Sequence, residues 1–315
     1  MRSRRLFLLY AITGALVLGA CQSAQAPADM APVTVPAAVT TVPFELVHNE
    51  IIINTAIGES APQRFMLDCG VDPSVIDLTL ARTLGIEIDE TEVGEATGAG
   101  DGEGLAVMLS SIPDLAIQDM TFDPIVALAA DISPFSEALG FPLAGILGHS
   151  FLENRIVRID YPARQLTIGT DIGAFGPPAT AVTERYVVPL KFNSEEELIP
   201  VFDLVINGET VTVTLDTGSS GGLELSPSAV TRLSLEAEKA AGETTEALGA
   251  RGLRTLTNGS LSDVGLGPFV IAELPTHFGE RSLSAVAVEG NAGNKLFQNF
   301  VLTLDYVNGE VIFQQ

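Results

Sequence analysis

A chain of 315 residues, 46% hydrophobic and 18% charged, carries enough apolar material for two ordinary domains, each with its own core. Its 40 acidic residues against 16 basic ones give a formal charge of −24, which excludes nucleic acid and anionic lipid headgroups as electrostatic partners. The two cysteines and three histidines form no cluster of metal-ligand spacing, so neither a metal nor a cofactor is implied.

The first residues read as an address. Arg2, Arg4 and Arg5 precede an apolar run from Leu6 to Ala20, too short for a comfortable membrane span but right for a secretory signal. Leu18-Gly19-Ala20-Cys21 resembles a bacterial lipobox, which implies cleavage after residue 20 and lipidation of Cys21. Lipidation would leave Cys69 as the single thiol and rule out a disulfide. Ser3-Arg4-Arg5-Leu6-Phe7-Leu8 also resembles a twin-arginine signal, and a plain basic start fits equally well. Gln22, a residue other than Asp after the lipidated position, implies sorting to the outer membrane, facing periplasm or exterior. From Cys21 to Pro43 the chain is rich in Ala, Pro and Thr with no helical or strand period, and reads as an extended tether.

The remainder is predicted to be β-rich and duplicated. Thr, Val, Ile and Gly are plentiful and Trp is absent. Strands are predicted over 50–57 and 63–67 around a Gly-Glu-Ser turn, then a short helix over 78–84. Strands over 155–161 and 165–168 follow, around Pro162-Ala163. Gly173 to Thr183 shows no period and marks a boundary, dividing a first copy (44–173) from a second (184–315). In the second copy, strands over 201–206 and 209–215 flank Asn207-Gly208, and strands over 301–306 and 310–313 flank Asn308-Gly309. Both are read as hairpins with an Asn-Gly turn. A helix is predicted over 227–233, opened by Ser226 as N-cap and Pro227 at its first position.

Self-similarity organises the two copies. Phe65-Met66-Leu67-Asp68-Cys69-Gly70 answers Val213-Thr214-Leu215-Asp216-Thr217-Gly218 at an offset of 148 residues. Further on, Gly145-Ile146-Leu147-Gly148 with Asp160-Tyr161 answers Gly290-Asn291-Ala292-Gly293 with Asp305-Tyr306 at a nearly equal offset. The Asp-Tyr pairs are read as turn residues at strand ends.

Each copy therefore ends an apolar strand with an Asp, a small residue and a Gly. Glycine lets backbone N–H groups approach and hydrogen-bond an ionised carboxylate. Two such turns facing each other would bring Asp68 and Asp216 together. Like charges that close share one proton, leaving one carboxylate as base and the other as acid.

These residues resemble the aspartic peptidases of the retropepsin and pepsin clan over about residues 45 to 315. Asp68-Cys69-Gly70-Val71-Asp72-Pro73-Ser74-Val75 is similar to the retropepsin signature, and Asp216-Thr217-Gly218-Ser219-Ser220 to the pepsin form. Ile146-Leu147-Gly148 resembles the motif that packs beneath the active-site turn, with Ala292-Gly293-Asn294 a weaker copy. The resemblance implies an all-β fold of two tandem retropepsin-like closed β-barrel lobes in a pepsin-like bilobal architecture. It implies a monomer, since the lobes pair within one chain, and a peptide or protein substrate. It makes Asp68 and Asp216 the catalytic pair. The glycine-rich stretches at Gly98, Gly100, Gly102 and Gly104, and at Gly249 and Gly252, fall where flaps belong; neither holds a tyrosine, which fits the retropepsin style. The departure is Cys69, standing where the clan has a threonine that bonds across the lobe interface. A thiol is a weak donor, so the reciprocal contact is expected to survive on the Thr217 side alone. Retention of both aspartates points to an aspartic endopeptidase. Cys69 points to the alternative, a catalytically weak or silent peptide-binding lipoprotein of the same fold.

Overall fold

The computed structural model describes residues 38–96, 98–100, 102–194, 198–279 and 288–315. The predicted signal, Cys21 and most of the predicted tether lie outside the described residues. Among the described residues no helix is long and apolar enough to cross a membrane.

Three sheets carry the chain. A ten-stranded sheet holds the first copy, an eight-stranded sheet the second, and a six-stranded sheet draws strands from both. Strands dominate because the sequence alternates. From Phe202 to Ile206 and from Val211 to Leu215 the buried positions recur every second residue, so one face packs inward while the other is more open to solvent. Asn207 and Gly208 both take positive φ (52° and 81°), as a two-residue hairpin turn of this twist requires. The helices Leu78–Leu84 and Pro227–Arg232 form where predicted. Asp77 caps the first by accepting from the Leu80 amide, and Ser226 caps the second through the Ala229 amide.

The six-stranded sheet joins the copies. Ile156–Asp160 pairs antiparallel with Val301–Asp305, setting Arg158 opposite Thr303, and Asp160 opposite Val301. Gln165–Gly169 and Glu310–Gln314 flank this central pair on either side. Equivalent strands of the two repeats thus meet across a local two-fold axis.

Three expectations need correction. The unpatterned tether does not extend to Pro43, because Thr40–Pro43 is a strand paired with Gln165–Ile168 at the edge of the shared sheet. Thr40 and Val42 are buried and Pro43 is tolerated because it sits on that edge. The loop at Asn308-Gly309 is not the two-residue Asn-Gly turn. Only Gly309 takes positive φ, its amide bonds the Asp305 carbonyl, and the Asp305 side chain accepts from the Val307 and Asn308 amides. Tyr161 is also more than a turn residue. Asp160 and Asp305 do hold their turns, Asp160 through the Ala163 and Thr180 amides. Tyr161, however, is buried between the copies, and its hydroxyl donates to Asn294 Oδ1 at 2.6 Å.

Candidate active site

Strands Gln63–Leu67 and Glu209–Leu215 each run out of the core and end in the Asp-x-Gly turn. The strand Gly145–Leu147 lies parallel to the first and Gly290–Ala292 parallel to the second. They fix the turns identically. The Asp68 amide donates to the Leu147 carbonyl and the Asp216 amide to the Ala292 carbonyl, both at 3.0 Å. Beneath each turn, Gly148 presses on the Val71 carbonyl and Gly293 on the Ser219 carbonyl, so closely that a Cβ at either position would collide. Asn294 Nδ2 donates to the Thr217 carbonyl at 2.7 Å, extending the Tyr161 contact to the second turn.

The turns then face each other. Each glycine amide bonds the aspartate of its own turn, Gly70 to Asp68 Oδ1 at 2.8 Å and Gly218 to Asp216 Oδ1 at 2.9 Å. A Cβ on Gly218 would meet the Asp68 carboxylate, and one on Gly70 the Asp216 carboxylate. Only glycine leaves room for the opposite aspartate here. The two carboxyls are mutually placed with their backbone donors beside them. Burial raises the pKa of Asp68 well above the usual carboxylate range, and the charge of Asp216 raises it further. Burial also raises Asp216, opposed first by the bond it receives from Asn291.

Below the carboxyls lies the cross-lobe grip. The Cys69 amide donates to Thr217 Oγ1 at 3.0 Å, and that hydroxyl donates to the Leu67 carbonyl at 3.0 Å. The reciprocal half is also present, contrary to the expectation for Cys69. Its Sγ donates to the Leu215 carbonyl at 3.2 Å, because the larger sulfur atom spans a distance that still meets the acceptor. Both residues are fully buried, and burial pushes the Cys69 thiol pKa far up. The thiol stays protonated and available as a donor.

The other predicted residues take separate places. Asp72 and Ser220 are exposed, while Ser219 accepts the Asn294 amide through its carbonyl. The two glycine-rich stretches are hairpin tips that touch each other. The Arg251 amide donates to the Ala99 carbonyl at 2.8 Å, Gly102 to the Arg251 carbonyl at 2.7 Å, and Leu105 to the Ala250 carbonyl at 3.2 Å. Gly100 has positive φ and lies hard against the Arg251 backbone, and Gly249 lies against Ala99, so neither admits a side chain. Gly98 and Gly252 also take positive φ, and the Gly104 amide is held by Glu95.

Several neighbours of the carboxyls escaped the sequence reading. Continuing the Ile52–Met66 register by two residues sets Glu50 opposite Asp68. Glu50 Oε2 is buried without a partner among the described residues. Its pKa is raised well above the usual value by burial, then by the charges of Asp68 and Asp216. In the second copy one rung across the sheet is polar, running Thr214, Asn291, Glu224, His277, Asn258. The matching rung in the first copy runs Met66, Ile146, Val75, Leu128, Leu109 and is apolar throughout. Glu224 is held by Arg254 in a two-pronged ion pair, 2.6 and 2.7 Å.

A search of curated proteins finds no match. Among solved structures, a retropepsin-like aspartic protease from Rickettsia conorii is similar at 17% identity and a TM-score of 0.34, covering 42% of this chain and 92% of that one. The family model described as aspartyl protease matches residues 53–151 and again 202–292, once around each Asp-x-Gly turn. Those two segments together take in more than half of the chain, one on each copy of the repeat, and the chain therefore belongs to the aspartyl protease family.

Proposed function

We propose that the chain is an aspartic endopeptidase that hydrolyses peptide bonds through Asp68 and Asp216. One observation carries this reading: two carboxyls, that of Asp68 buried and that of Asp216 half-buried, face each other from opposed turns, each bonded by its own glycine amide and each close against the other turn's glycine. Such a pair cannot readily ionise twice, so it holds one proton at working pH. The ionised carboxylate takes a proton from water as the water oxygen bonds to the peptide carbonyl carbon. The carbonyl oxygen takes the proton of the other carboxyl. When the tetrahedral intermediate collapses, the C–N bond breaks and the leaving nitrogen takes the first carboxyl's proton. The second carboxyl recovers its proton from the intermediate's hydroxyl, and one water has been consumed. A silent peptide binder would be favoured by a broken contact at Cys69, and that contact is made.

The test is incubation of the protein with mixed peptides from about pH 3 to 8. Hydrolysis blocked by a statine-type inhibitor and indifferent to chelators is expected. No cleavage at any pH, or cleavage abolished by EDTA, would reject the reading.

The lipobox-like Leu18-Gly19-Ala20-Cys21 and the Gln22 after it support a second proposal, that the enzyme is tethered at the outer membrane of a bacterial envelope through lipidated Cys21, facing periplasm or exterior. Cys21→Ser is expected to lose incorporation of a fatty-acid analogue and to leave the membrane fraction or remain unprocessed. Equal labelling of variant and wild type would rule out the anchor.

A further inference from the structure

The two carboxyls are not held alike. Asp68 receives the Gly70 amide, whereas Asp216 receives the Gly218 amide and, on its other oxygen, Asn291 Nδ2 at 2.8 Å. Asn291 occupies the place that Ile146 takes in the first copy, as each pairs with the strand leading into its own turn. The amide is held from both ends: Thr214, paired with Asn291 across the sheet, donates its hydroxyl to Asn291 Oδ1, and the NH2 end points at the carboxylate, which as an ionised group can only accept.

We propose that Asn291 is a positioning residue that divides the labour of the pair, holding Asp216 as the ionised base and leaving the shared proton on Asp68. The inference rests on the peptidase reading for its catalytic meaning, but the location of the proton does not depend on turnover. The surrounding charges have been considered with it. Glu50 faces the pair from the first copy, Cys69 and Tyr161 from below, and Glu224 with Arg254 from beside Asn291. Arg254 favours an ionised Asp216 and is largely neutralised by its own bond to Glu224. Apart from Asp68 itself and the Gly218 amide, which is matched by the Gly70 amide on Asp68, that leaves Asn291 as the donor in direct contact with Asp216.

The proposal makes an unequal demand on the two titrations. The lower one creates the charge on Asp216 that Asn291 stabilises. The upper one removes the proton from Asp68 while Asp216 is ionised before and after. Asn291→Leu is therefore expected to raise the lower apparent pKa of the pair by about one unit, the worth of one hydrogen bond, and leave the upper one in place. The titrations are read from protein carrying 13C at the aspartate carboxyl carbons, with Asp68→Asn and Asp216→Asn identifying the resonances of the pair. The acid limb of kcat/KM should move with the lower value. Thr214→Val, which frees the amide to turn, is expected to give a smaller displacement in the same direction. An unmoved lower titration, or equal movement of both, in whichever variant folds would overturn the proposal. Wild type that titrates as described but cleaves nothing would reject the peptidase function and leave the assignment standing.

Discussion

Replacing either Asp68 or Asp216 with asparagine is expected to lower kcat by at least about 10²–10⁴-fold, the contribution of positioned acid–base groups, with KM nearly unchanged. Each variant removes one half of a unit that needs two carboxyls and one proton. The fold should tolerate both, because asparagine retains an oxygen to accept the Gly70 or Gly218 amide. Stability should in fact rise in Asp68→Asn. The carboxyl of Asp68 is displaced upward in the folded state, so the native protein binds a proton that the unfolded chain has released. Its contribution to stability is present below the unfolded value and is lost as pH rises through the folded one. Urea unfolding at acidic and neutral pH checks this. The variant should exceed wild type at neutral pH, and the difference should shrink on acidification. Retained turnover in either variant would require another mechanism.

The second large effect is expected at Thr217. Its hydroxyl accepts the Cys69 amide and donates to the Leu67 carbonyl in a fully buried place. Thr217→Val keeps the shape but removes both bonds and leaves a buried N–H unpaired, a cost of about 2–4 kcal/mol. Cys69→Ala removes one weak thiol bond and should cost about 0.5–1.5 kcal/mol. Cys69→Thr places a stronger donor opposite the same Leu215 carbonyl and should gain about 0.5–1 kcal/mol. Denaturant melts of the three variants give the order directly. A Cys69→Ala change more damaging than Thr217→Val would mean that the sulfur carries more of the interface than its hydrogen bond explains.

What was legible in the sequence is what short-range chemistry encodes. The strand before Asp216 shows in the alternation of Val211, Val213 and Leu215, and the helix at 78–84 in its apolar spacing. The repeat exposed both Asp-x-Gly turns because each is a local device that needs a glycine at a set position. The neighbours that tune the carboxyls were not legible. Asn291 showed only as a landmark of the repeat, answering Ile146, since its partners Thr214 and Asp216 lie about 75 residues away in the chain. Tyr161 looked like a turn residue for the same reason, as its acceptor Asn294 comes from the opposite lobe. The touching hairpin tips also depend on how the lobes dock, and nothing in Gly100 or Arg251 alone announces the other.

The shared sheet has a consequence for how the protein comes to be made. Ile156–Asp160 finds its partner in Val301–Asp305, whose residues leave the ribosome long after the first lobe could have collapsed. Until then that strand offers unpaired N–H and C=O groups along one side, a template for any passing strand. Closing the sheet also joins segments far apart in sequence, which slows the final step. During synthesis the first lobe is thus an unfinished body with an adhesive edge, and the hazard of aggregation falls in the interval before its last strands arrive.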